Sequence, residues 1–85
     1  MAQARYFLGD AVLTALFALD ARDCEGLFAA FDQIADEPEN MADAMGRDWD
    51  GRIVCLARFG KYEIGYVIGA NASVVTFTLL RPGRK

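Results

Sequence analysis

The segment Asp20–Pro38 constrains the chain most. Cys24, Leu27, Phe28, Phe31, Ile34 and Ala35 recur at i, i+3, i+4, i+7, i+10 and i+11, a single apolar stripe along a helix. Asp20 is placed to cap the helix start, and Asp23 stands three residues on, as in a capping box. Asp32, Asp36 and Glu37 fall off the stripe. Pro38 ends the helix, because proline lacks the N–H and holds the residue before it extended. A helix with one apolar stripe needs an apolar surface to lie on.

The C-terminal half supplies one. Ile53, Cys55, Ala57 and Phe59 alternate with Val54, Leu56 and Arg58. Tyr62, Ile64, Tyr66 and Ile68 alternate with Glu63, Gly65 and Val67. Val75, Phe77 and Leu79 alternate with Val74, Thr76, Thr78 and Leu80. Period-2 runs bounded by turn residues predict strands near 52–59, 62–69 and 73–81. Gly60 makes the first turn, "GANAS" at 69–73 the second, and Pro82 and Gly83 stop the last strand. Short turns make an antiparallel meander, and the helices must cover one of its faces. Leu27, Phe28, Phe31 and Ile34 are the expected contact.

"ARYFLG" reads as a first strand, with Tyr6 and Leu8 on one face and Arg5 and Phe7 on the other. Asp10 is the expected N-cap of a helix over 11–19 that is apolar around most of its circumference. The polar connector "ENMADAMGRDWDGR" is expected to hold Met41 and Met45 on one helical turn over the core, with "WDG" as a turn before a strand. The predicted order is β-α-α-β-β-β, an α+β fold in one domain over residues 1–85. An Sm-like barrel also places a helix before strands, but two helices and only three later strands weigh against it.

Composition bears on class. Hydrophobic residues make up 54% of this 85-residue chain, against roughly 45–50% in ordinary domains. That excess, with the apolar helix at 11–19, predicts a homodimer or a protein that needs a partner. No apolar run is long enough for a transmembrane helix, and "MAQARYFLGD" does not read as a signal peptide. Cys24 and Cys55 lie inside apolar patterns, as reduced cytoplasmic cysteines do. The net charge of −3 is unevenly spread: residues 1–46 carry two basic and nine acidic groups, residues 47–85 seven basic and three acidic. Such a split fits either a surface for an anionic partner or solvated helices beside an ordinary sheet. There is no histidine, no CxxC and no Gly-rich phosphate loop before a helix, so neither a metal nor another cofactor is expected.

The order of these elements resembles the RelE/ParE superfamily of bacterial toxins from type II toxin–antitoxin modules. The helical hairpin "DAVLTALFALDARDCEGLFAAFDQIADEP" ends at a proline. "GRIVCLARFGKYEIGYVIG" is similar to the family's arginine-bearing strand, Gly-centred turn and Tyr-x-Ile-x-Tyr strand, and "VVTFTLLRPGRK" to its last strand and basic terminus. The resemblance implies a helical hairpin packed on a small antiparallel sheet, a cytoplasmic protein and a cognate antitoxin that silences it. It implies one of two activities: cleavage of messenger RNA on the ribosome, or poisoning of DNA gyrase. A non-catalytic member of the fold, serving as a binding or dimerisation module, is the alternative.

A metal-independent ribonuclease needs a general base, a general acid and preorganised cations for the phosphate charge. Arginine suits phosphate through its bidentate fork. By the resemblance, Arg58 and Arg81 are the candidate catalytic residues, and Arg52, Lys61, Arg84 and Lys85 the candidates for binding nucleic acid or a protein target. Tyr62 and Tyr66 share a strand face with Ile64 and Ile68 and read as core residues.

Overall fold

The computed structural model describes residues 6–69 and 74–83. Arg5, the centre of the "GANAS" turn, Arg84 and Lys85 lie outside the described residues. Strand β1 (Tyr6–Leu8) leads into helix α1 (Asp10–Phe17), then α2 (Ala21–Asp36), β2 (Ala44–Arg47), β3 (Ile53–Phe59), β4 (Tyr62–Ile68) and β5 (Val75–Pro82). The α+β class and the helical hairpin on a sheet are as predicted. The sheet has five strands in the order β1-β5-β4-β3-β2. Strands β2 to β5 are the antiparallel meander, and β1 adds a parallel edge, pairing Tyr6 with Val75 and Leu8 with Phe77.

Helix α2 begins as its sequence dictates. Asp20 accepts the Asp23 N–H at 2.9 Å. The reciprocal half of a capping box does not form, because the Asp23 carboxylate takes the Tyr62 hydroxyl at 2.8 Å. Leu27, Ala30, Phe31 and Ile34 are buried, but Phe28 is 41% exposed. Phe28 lies about 100° round the helix from Leu27, on the flank of the buried arc, and meets Phe31 edge-on at 5.7 Å. The helix stops one residue before Glu37 and two before Pro38.

Helix α1 starts one residue earlier than predicted, and Gly9, not Asp10, is its N-cap. The Gly9 N–H bonds Phe77 O at 2.8 Å, so the β1–β5 ladder runs straight into the helix and leaves Asp10 in the first turn. The helix ends at Phe17, and Leu19 lies beyond it.

The connector holds the largest departure. Residues 44–47 form strand β2, antiparallel to β3, in place of a helical turn. Met41 packs against the core, while Met45 is 57% exposed on the edge strand. "MADAMGR" carries weak alternation, and β3's free edge decides its conformation.

The core lies between the helices and one sheet face. Phe31 and Phe77 stack at 4.4 Å between ring centroids, with Tyr6, Tyr66, Ile64, Val12 and Ile34 around them. The Tyr66 hydroxyl donates to Pro38 O at 2.6 Å, tying the end of α2 to the centre of the sheet. Burial raises the Tyr66 pKa well above the ordinary tyrosine value and pushes the Cys55 thiol up as well. Strand β5 does not alternate throughout. Tyr66 pairs with Phe77 but Gly65 pairs with Leu79, so Thr78 is an extra residue in a β-bulge. The bulge turns Leu80 inward, where it is buried, and leaves Leu79 on the opposite face, the reverse of simple alternation. Gly65 permits this close packing: a Cβ there would meet Leu79 Cβ at 2.9 Å.

Candidate interaction site on the open sheet face

Strand register places the outward side chains in rows across the sheet. Phe7, Thr76, Val67, Val54 and Gly46 form one row. Leu79, Gly65, Leu56 and Ala44 form the next, and Arg81, Glu63 and Arg58 the third. Both helices pack on the other side, so the first two rows make an apolar band open to solvent. Val54, Leu56, Val67 and Leu79 are half-buried by their neighbours in the sheet, and Phe7 is 64% exposed.

The third row brings the two candidate catalytic residues together. Arg58 on β3 and Arg81 on β5 flank Glu63 on β4. Glu63 Oε1 accepts from Arg81 Nε at 2.7 Å and forms an ion pair with Nη2 at 2.7 Å. Beside them the Asp43 carboxylate accepts the Arg58 backbone N–H at 2.8 Å. Glu63 thus neutralises the Arg81 guanidinium, while Asp43 holds the Arg58 backbone, and the formal charges of these four residues sum to zero. Glu63 and Asp43 escaped the sequence reading, although the Gly60 turn already placed Glu63 opposite Arg58.

The other candidates lie elsewhere. Arg52 precedes β3, at the end of the sheet about 20 Å from Arg58 at the usual strand rise. There it lines a cavity of about 480 Å³ with Arg47, Asp50 and Thr76. Lys61 sits on the turn between β3 and β4 and points back to the helices, with Nζ 3.5 Å from Asp23. The hydrogen bond from Tyr62, with Lys61 adding to it, holds the Asp23 carboxyl below the usual carboxylate range and raises the Tyr62 hydroxyl. This cluster fastens the hairpin to α2. Tyr62 and Tyr66 both face the helices, as predicted. Among the described residues no group of three or more His, Cys, Asp or Glu side chains is placed to hold a metal ion, and no helix is long and apolar enough to cross a membrane.

No family model matches the chain. Nor does any curated protein. Solved structures do. The chain is similar to one in the archaeal RelE–RelB complex from Pyrococcus horikoshii OT3, with a TM-score of 0.77 and 22% identity over 99% of this chain and 100% of that one. It is also similar to one in the toxin–antitoxin complex RelBE2 from Mycobacterium tuberculosis, with a TM-score of 0.74 and 19% identity over 96% of this chain and 100% of that one. At such identities the likeness is one of fold: this is a RelE-like fold from end to end.

Proposed function

We propose that the protein is the toxin of a bacterial toxin–antitoxin pair, acts in the cytoplasm, and disables its target by binding rather than by cutting RNA. The observation that carries this reading is the open sheet face. It is an apolar band ending in the row Arg81–Glu63–Arg58, on a fold shared with chains solved in complex with antitoxins. An antitoxin that covers this face would silence the toxin.

The charge row favours binding over RNA cleavage. A phosphate approaching Arg81 must displace Glu63 from a pair of 2.7 Å contacts. Arg52 and Lys61 are too far along the sheet or too engaged to join Arg58. No histidine is available as base or acid. DNA gyrase, the protein target that the resemblance implies, suits a mixed apolar and charged surface better than the ribosome-bound messenger RNA does. The same neutral row favours a second reading, a non-catalytic binding module of this fold.

Inducing the chain alone in a bacterium separates these readings. The expected result is growth arrest, intact messenger RNA and an induced DNA-damage response. Codon-specific RNA fragments would move the assignment to the ribonuclease branch. Unchanged growth, with the protein soluble and folded, would leave only the binding module.

A further inference from the structure

The hairpin tip between β2 and β3 holds the least expected side chain. Trp49 is 93% exposed, the most of the large hydrophobic residues among those described. It is not on a loose loop. Asp48 O accepts the Gly51 N–H at 3.0 Å, and Asp48 N donates to Arg52 O at 3.1 Å. Asp48 Oδ1 accepts from Asp50 N and Arg52 N at 2.9 and 3.0 Å. Arg47 Nη1 donates to Gly51 O at 2.9 Å, and Gly51 adopts φ of 83°. A turn with this many bonds holds the backbone on either side of Trp49, so little backbone ordering entropy remains to be lost on association.

Beside that apex is the cavity of about 480 Å³, lined among others by Arg47, Asp50, Arg52, Ile53, Val67 and Thr76. Its size falls within the ~300–1,000 Å³ of pockets that take a ligand. Its lining offers an indole what it needs: apolar side chains, guanidinium groups for cation–π contact and a carboxylate for the ring N–H. Trp49 does not line it and stands in solvent. A knob and a matching hole that adjoin on one hairpin cannot meet within a chain, but they close reciprocally across a two-fold axis. The charges at the tip are self-complementary in the same sense, since Asp50 and Arg52 of one copy can face Arg52 and Asp50 of another.

We propose that the β2–β3 tip is a homodimer interface in which Trp49 of each copy enters the cavity beside the tip of the other. The contact is small, so the dimer is concentration-dependent. It takes up only the Val67–Thr76 end of the open sheet face, leaves Leu56, Leu79 and the row Arg81–Glu63–Arg58 uncovered, and holds whether or not the protein is a toxin.

Trp49 is the sole tryptophan, so its emission reports its own burial. The purified protein is followed by sedimentation equilibrium and tryptophan emission across a concentration series. The mass should rise toward that of two chains as the emission moves to the blue. Trp49→Ala should weaken the dimer at least about 30-fold, as loss of an interface hot spot does, with an unchanged denaturation curve at concentrations where both proteins are monomeric. Asp50→Arg and Arg52→Asp should each weaken it, and the two together should restore it. Monomers with unshifted emission throughout would overturn the proposal. So would a dimer indifferent to Trp49→Ala, or an emission shift that requires a different protein.

Discussion

The two faces of the sheet are built from the same strands and do opposite things. The inner face carries Phe77, Tyr66, Ile64 and Ile68, all at 3% exposure or less, closed by Phe31 and Ile34. The outer face carries Phe7, Val54, Leu56, Val67 and Leu79 with neither helix over them, then the row Arg81–Glu63–Arg58. Both are apolar at their centre. The inner face has helices within reach of its rings, and the outer does not. Alternation therefore makes two apolar faces, and the helical hairpin, with one stripe per helix, covers only one of them. In a chain this small the inner face supplies stability and the outer face stays open.

Substitution of Phe31 tests the comparison hardest. Phe31→Ala removes the ring stacked on Phe77 and should cost about 3–5 kcal/mol in chemical denaturation, the range for a buried phenylalanine. A loss under about 1 kcal/mol would mean that the inner face is not where the stability lies.

Tyr66→Phe is the next step down. It leaves Pro38 O without its donor and should cost about 1–3 kcal/mol. The same hydroxyl gives a pH test. Burial raises its pKa above 10.0 in the folded protein. The unfolded chain ionises first, so stability is complete below about pH 10 and falls as the pH rises beyond it. Tyr66→Phe should flatten part of that alkaline decline. An equal decline in both proteins would place its origin elsewhere.

The outer row should respond least. Arg81 is 56% exposed, so Glu63→Gln should change stability by less than about 1 kcal/mol. Its effect should appear in ligand binding instead, as a gain in affinity for an RNA oligonucleotide once Arg81 is released. Unchanged RNA binding would mean that Glu63 is not what keeps phosphate away.

Much of the inner face was legible in the sequence. The stripe of α2, its cap at Asp20 and the turn at Gly60 are local signals, and they fix which residues face the core. Three features were not legible, each for a non-local reason. Strand β2 forms because β3 has an open edge, not because "AMGR" favours a strand. The bulge at Thr78 exchanges Leu79 and Leu80 without any mark in the alternating pattern. Arg81 looked like a free cation because its partner Glu63 is 18 residues away on another strand. Glu63 opposite Arg58 could have been read from the two-residue turn. Glu63 opposite Arg81 depends on the bulge and could not.

The division between the faces is tested most directly by one paired measurement on a double variant of Arg58→Ala and Arg81→Ala. Bacterial growth after induction is scored beside the denaturation midpoint of the purified protein. Each arginine removed takes away charge-assisted contacts to the target of about 1.5–3 kcal/mol. The wild-type chain should arrest growth, and the double variant should permit it, with stability within about 1 kcal/mol of wild type. A double variant that stays folded and still arrests growth as strongly as wild type would contradict the assignment of function to the outer face.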